Sequence, residues 1–206
     1  MNFEPDNIYH IYNQGNNRGK IFFGRENYIF FRGKIKQFVS PFADILAWCL
    51  MPNHFHLMVY VNTTNTETVV ATEPGHAGQE SHPDSQRGLN HSIGIMLRSY
   101  TRAINVQQNR SGSLFREETK AICLSQPTKS PPSWYLSNGT TVLWSDFPEK
   151  GYINTCFNYI LMNPVRSGLV EKPSLWEFSS FNELAGDEIL INKKRIEEFE
   201  LKFLQY

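Results

Sequence analysis

The order of apolar runs along the chain predicts an α+β fold, a ferredoxin-like βαββαβ sheet with its helices on one face, followed by further C-terminal helices. Two observations carry this. Short β-branched and aromatic runs at Ile8–Tyr12, Ile45–Met51, Phe55–Val61 and Leu114–Leu124 read as strands. Between them, two longer stretches place apolar residues at three- and four-residue steps, which is the period of a helix.

Taken in order, Ile8–Tyr12 is a strand that stops at the flexible run Asn13-Gln-Gly-Asn-Asn-Arg-Gly. The helix at 25–39 carries Tyr28, Phe31, Ile35 and Phe38 on one face, and Pro41 ends it. Pro52-Asn53 separates the next two strands as a hairpin turn. Residues 62–88 are polar, with proline and glycine, and read as an inserted loop. The second helix, 89–106, aligns Ile93, Met96, Leu97, Tyr100 and Ile104. Residues 125–144 hold three prolines and Asn138-Gly139 and read as a second, irregular insertion. A helix over 146–162 is expected to stop at Asn163-Pro164. A charged amphipathic helix is expected over 189–206. One domain, 1–186, with insertions near 62–88 and 125–144, followed by a helical extension at 187–206, is the expected organisation. In this topology the sheet face away from the helices is expected to lie free for a site.

The chain has 206 residues, with 20 basic and 20 acidic side chains. Zero net charge speaks against a bulk electrostatic grip on nucleic acid. The sum conceals unlike regions. Residues 15–56 carry a net charge of +4, and 86–116 hold five arginines and no acid. Compensating acid lies at 62–85 and toward the C-terminus. No apolar stretch reaches the ~20 residues needed to span a bilayer, and the first residues lack the pattern of a signal peptide. Cys49, Cys123 and Cys156 are widely spaced among apolar neighbours and read as buried thiols. A cytoplasmic protein without membrane contact is the expectation.

Chemistry concentrates in two places. In Met51-Pro-Asn-His-Phe-His-Leu-Met-Val59, strand alternation puts His54 and His56 on one face and Phe55, Leu57 and Val59 on the other. Two imidazoles so placed suit one cation, given a third ligand. Farther on, Tyr159 and Asn163 are four residues apart and share a helical face. Tyrosine can be a nucleophile toward phosphorus, and an amide oxygen is a hard ligand for Mg²⁺ or Mn²⁺. Each signal alone fits ordinary packing or capping as well.

Together, and in this order, they resemble the HUH single-tyrosine transposases, and within them the REP-associated tyrosine transposase branch. The resemblance rests on Tyr9-His-Ile-Tyr-Asn-Gln-Gly-Asn-Asn-Arg18, Cys49-Leu-Met-Pro-Asn-His-Phe-His56, Gly112-Ser-Leu-Phe115, Tyr159-x-x-x-Asn163-Pro-Val-Arg-x-Gly-Leu-Val170 and Trp176-Glu-Phe-Ser-Ser180. These pieces span residues 8–181 without the two insertions. Gln14 stands where the branch commonly has arginine, and the chain is less basic than that branch.

The resemblance implies that His54, His56 and Asn163 hold a divalent metal, Mg²⁺ or Mn²⁺. It implies that Tyr159 attacks single-stranded or hairpin DNA to leave a 5′-phosphotyrosine and a free 3′-hydroxyl, with rejoining as the reverse step. The competing readings are a hairpin DNA- or RNA-binding protein without covalent chemistry, and a metal-dependent phosphodiesterase that uses water. Tyr100 is a rival nucleophile, but no Asn or Gln follows it by four. Asn16, Asn17 and Arg18 in the first turn, and Arg98 and Arg102 on the second helix, are candidate DNA contacts. His10 reads as structural, His76 and His82 fall in the loop, and Lys193-Lys-Arg195 reads as a solvated helix. The relatives imply either a monomer or a homodimer.

Overall fold

A computed structural model describes residues 1–62, 88–126, 136–137, 140–141, 149–187 and 189–204. Most of the two expected insertions, with His76 and His82, lies outside the described residues. So does the start of the 146–162 helix.

Strands β1 (Ile8–Gln14), β2 (Ala43–Met51), β3 (His54–Val61) and β4 (Lys120–Cys123) form one sheet in the order β2-β3-β1-β4, every neighbouring pair antiparallel. Helices α1 (Arg25–Phe38) and α2 (Leu89–Gln107) complete the βαββαβ unit. This is the ferredoxin-like order that the sequence predicts. The register β1 to β3 pairs Tyr12 with His56 and Gln14 with His54. The pairing draws β1 two residues past the expected end, because Asn13 and Gln14 still have partners on β3.

The side chains on the two faces of β3 have different fates. Phe55 points into an aromatic core with Phe31 of α1, Tyr100 of α2 and Phe115, linked ring to ring at centroid distances from 4.8 to 6.2 Å. Complete burial of Phe31 and Phe55 stabilises this layer by about 1.5–3 kcal/mol for each ring. The start of α1 is set by Asn27, whose Oδ1 accepts from the N–H groups of Phe23 and Gly24.

The opposite face is not open, contrary to expectation. Helix α3 (Glu149–Arg166) lies across it, and the His56 and Tyr159 rings meet 5.4 Å apart. Once α1 and α2 fill one face, the apolar stripe of Tyr152, Cys156, Phe157, Ile160 and Leu161 can be buried only on the other.

Three further expectations are corrected. Only Lys120–Cys123 of the expected 114–124 strand joins the sheet, with one isolated bridge from Phe115 to Gly15. Between them Asn13 donates to the Arg116 carbonyl and to Thr119 Oγ1, replacing ladder bonds with side-chain ones. Asn163-Pro164 does not stop α3. Proline removes a single donor, and the helix runs to Arg166. It ends at Gly168, whose φ of +71° allows Leu169 N–H to reach the Pro164 carbonyl and Gly168 N–H the Val165 carbonyl. Within the second insertion, β5 (Leu136–Ser137) and β6 (Thr140–Thr141) pair with each other.

Of the helix expected at 189–206, the described residues form only α5 (Lys193–Glu198), capped by Asn192. The apolar residues before it serve β2 instead, where Ile191 bridges Ile45 and the Asn192 N–H reaches the Ile45 carbonyl. The preceding helix α4 (Phe181–Ala185) supplies the anchor: the buried Glu183 carboxylate accepts from Trp48 Nε1 and from the N–H groups of Ile189, Leu190 and Ile191. Residues 178–180 also bond along β2, so Trp176-Glu-Phe-Ser-Ser180 covers that strand's edge. The Lys193-Lys-Arg195 run expected to be solvated is partly so: Lys194 is exposed, while Arg195 pairs with Asp44 and Glu198. Cys49 and Cys156 are buried and Cys123 half-buried, and all three are free thiols. Among the described residues no helix is long and apolar enough to cross a membrane.

Candidate active site

The site lies where β3, β1 and α3 meet. Alternation on β3 and β1 puts His54, His56, His10 and Tyr12 on one face. A helical step of four on α3 lowers Tyr159 and Asn163 onto them. His54 Nε2 lies 3.2 Å from Asn163 Oδ1, and Asn163 Nδ2 donates to His56 Nε2 at 3.3 Å. One amide therefore spans the Nε2 atoms of both histidines. Tyr159, one helical turn before Asn163, sets its ring edge-on to those of His56 and His10, at centroid distances of 5.4 and 6.3 Å. Tyr159, His54, His56 and Asn163 are thus brought together within a single chain.

Each histidine is oriented through its other nitrogen. His54 Nδ1 is 2.7 Å from Asn53 Oδ1, in the β2–β3 turn. His56 Nδ1 is 2.9 Å from His10 Nε2, which faces it from β1. Partners assign the protons. Asn163 donates to His56 Nε2, so the His56 proton sits on Nδ1 and goes to His10. His54 faces an amide oxygen at each ring nitrogen, Asn53 Oδ1 at Nδ1 and Asn163 Oδ1 at Nε2, and a neutral imidazole donates to only one of them. With its proton toward Asn53, both histidines present Nε2 lone pairs to the Asn163 amide. Two imidazole nitrogens and an amide oxygen in this arrangement fit a divalent cation with open positions. Among the described residues no three His, Cys, Asp or Glu side chains converge as a metal site. The third ligand would have to be the amide.

Burial keeps the imidazoles neutral. His10 is pushed down to about 3 by desolvation. His56 is held well below its ordinary value by burial, then by the neighbouring His10 and His54, and His54 is lowered by burial. For Tyr159, burial raises the hydroxyl above the usual tyrosine range, while the Asn163 hydrogen bond and the Arg166 charge pull it back. The Arg166 guanidinium lies 5.5 Å from the centre of the Tyr159 ring.

The other candidates fall into separate places. Tyr100 is fully buried and donates to the Ile21 carbonyl at 2.8 Å, so it is a core residue. Asn16, Asn17 and Arg18 form a 3₁₀ turn with φ of 52° at Asn17 and 58° at Arg18, and all three side chains are exposed. The turn is tied on two sides. Asn16 donates to the Ser113 carbonyl, and Asn53 donates to the Arg18 carbonyl. Arg98 and Arg102 lie on α2, on the sheet side away from Tyr159, and line a groove of about 1,080 Å³.

Sequence reasoning missed His10 as a partner of the pair. Alternation shows that it shares a face with Tyr12, but only the β1–β3 register sets it beside His56. Arg166 was legible, since seven residues are two helical turns from Tyr159.

Fold and site together define a class: an α+β protein with a sheet-borne histidine pair facing a helix-borne tyrosine and asparagine. No family model matches the chain, and no curated protein matches it in sequence. Among solved structures, the fold is similar to that of a REP-associated tyrosine transposase bound to a REP hairpin. The two chains are 15% identical, with a TM-score of 0.55 over 91% of this chain and 84% of that one.

Proposed function

We propose that the protein is a DNA strand transferase of the HUH single-tyrosine kind, acting on single-stranded or hairpin DNA. The observation that carries this reading is the Asn163 amide, which spans both histidine Nε2 atoms, with Tyr159 one turn earlier on the same helix and its ring 5.4 Å from that of His56. The fold is shared with a transposase solved on a hairpin, which supports the same reading.

In this reading Tyr159 Oη attacks the scissile phosphorus as the P–O3′ bond breaks. The 5′-phosphate remains on tyrosine, and the tyrosine proton ends on the released 3′-oxygen. Rejoining reverses these changes, so bond energy is conserved and no nucleotide is consumed. His54, His56 and Asn163 would hold Mg²⁺ or Mn²⁺, which when bound polarises the phosphate and stabilises charge on its oxygens. His10 and Asn53 hold the two imidazoles with their Nε2 atoms presented. Arg166 supplies positive charge beside the nucleophile. Because all of these residues come from one chain, a monomer suffices.

Incubation of end-labelled hairpin DNA with Mn²⁺ tests the reading. Cleavage by the wild type that is lost in Tyr159→Phe and in His56→Ala supports it. Cleavage that survives Tyr159→Phe points to water as the nucleophile, and binding without cleavage points to a hairpin-binding module. Either result overturns the proposal.

A further inference from the structure

The tyrosine helix carries a second row of polar side chains that the site does not use. Asn154 and Asn158 are four residues apart on α3, as Tyr159 and Asn163 are, and the two rows are one residue out of step, about 100° apart around the helix. The histidine face takes one row. The C-terminal tail, residues 201–204, takes the other. Lys202 N–H donates to Asn154 Oδ1 at 2.8 Å, Asn158 Nδ2 donates to the Lys202 carbonyl at 2.9 Å, and Leu204 N–H donates to Asn158 Oδ1 at 2.7 Å. Asn158 Nδ2 also reaches the Asn154 carbonyl of its own helix, so this amide, only 5% exposed, uses both of its N–H donors.

The two amides hold the tail as a neighbouring strand would, by its main chain at every second residue. The tail side chains follow the same alternation. Leu201 and Phe203 turn inward, Phe203 edge-on to Phe181 at 4.9 Å, while Lys202 and Leu204 are exposed. The inward packing is loose, because a cleft of about 290 Å³ lies among Phe157, Leu184, Ile196, Leu201 and Phe203. The bonds to Asn154 and Asn158 are therefore what fix the register of the tail on α3. A strained residue leads into it. Glu200 closes α5 with a φ of 54°, its N–H on the Glu197 carbonyl and the Leu201 N–H on the Ile196 carbonyl. A left-handed residue with a side chain persists only where its surroundings over-determine it, and the bonds at 202 and 204 add to that constraint.

Tyr159 follows Asn158 directly, so a slide or rotation of α3 at Asn158 is passed to the nucleophile. The Asn163 amide meets the two Nε2 atoms at 3.2 and 3.3 Å, and a shift of about 1 Å away from them would break both bonds.

We infer that Asn154 and Asn158 are positioning residues: by clasping the main chain of residues 202–204 they lock α3 in the register that sets Tyr159 and Asn163 against the histidine pair. The inference rests on the proposed chemistry at Tyr159 and adds the C-terminal tail to the parts that chemistry needs.

The test compares full-length wild type, Lys202→Pro, Lys202→Ala and Asn158→Ala. Proline deletes the N–H that Asn154 accepts, while alanine at the same exposed position keeps every main-chain bond. Adduct formation is timed at saturating hairpin DNA and Mn²⁺, hairpin affinity is read by anisotropy, and deuterium exchange of the α3 amides is followed by mass spectrometry. Lys202→Pro and Asn158→Ala are expected to slow the saturated rate about 10–100-fold, the cost of an ångström of misplacement, without changing hairpin affinity. Both are expected to quicken exchange over residues 155–166, and Lys202→Ala to match the wild type in all three measurements. A folded Lys202→Pro that melts at a lower temperature but keeps the wild-type saturated rate overturns the inference, since the tail then stabilises without positioning. An equal loss of rate in Lys202→Ala overturns it as well. Exchange separates the clasp from the chemistry. A wild type that forms no adduct, with α3 exchange quickened in Lys202→Pro, sinks the strand-transferase reading and leaves the clasp standing, whereas unchanged exchange sinks the clasp whatever the chemistry.

Discussion

Replacing His10 by phenylalanine separates the orientation of the His54–His56 pair, the proposed metal ligands, from the bulk of the core. His10 is completely buried, and its Nε2 accepts from His56 Nδ1 at 2.9 Å. Phenylalanine keeps a ring in the space but removes the acceptor. The His56 N–H then stays buried without a partner, at a cost of about 1–3 kcal/mol. In a chain of this length, each kcal/mol lowers Tm by about 2–4 °C, so a fall of about 2–12 °C is expected. If His56 ligates a metal as proposed, loss of the group that orients it should weaken metal affinity by about 10–100-fold. Titration calorimetry with Mn²⁺ on the folded variant reads this directly, and His10→Gln, which restores an acceptor oxygen, recovers part of it. A folded His10→Phe protein that binds Mn²⁺ as tightly as the wild type would refute the orientation argument.

Other outcomes follow from the same physics. In metal-free protein His10 is pushed down to about 3, so between about pH 3 and 6.5 the unfolded chain holds the extra proton. His10 alone should therefore take away about 1.4 kcal/mol of stability for each unit the pH falls through that window; urea unfolding at several pH values should show a shallower slope in His10→Phe. Tyr100→Phe loses its bond to Ile21, costs about 1 kcal/mol in thermal unfolding, and leaves any DNA cleavage intact. Glu183→Ala strands four donors around a buried carboxylate position and should cost at least about 3 kcal/mol in urea unfolding. Gly168→Ala forces a side chain into a φ of +71° and should cost about 1–2 kcal/mol by the same measurement.

What could be read from the chain followed from local periodicity. Alternation separated His54 and His56 from Phe55, and a step of four joined Tyr159 to Asn163, because both rules depend only on the backbone repeat. Contacts that depend on register or long-range pairing were hidden. His10 beside His56 needs the β1–β3 alignment, forty-six residues apart. The stripe on α3 showed that it would be buried, but not that it would cover the histidine face. Ile191 and its neighbours had helical spacing, yet an open β2 edge offered their backbone better partners than another turn of helix. At Pro164 the stop was assigned to the wrong residue, since one missing donor is tolerated and the positive φ at Gly168 is what ends the helix.

The central claim is that Tyr159 carries the DNA. After incubation with hairpin DNA and Mn²⁺, nuclease trimming, protease digestion and mass spectrometry should find a nucleotide 5′-phosphate on the peptide containing Tyr159, and none on it in Tyr159→Phe. Cleaved DNA bearing free 5′-phosphates, with an unmodified Tyr159 peptide, would contradict the account.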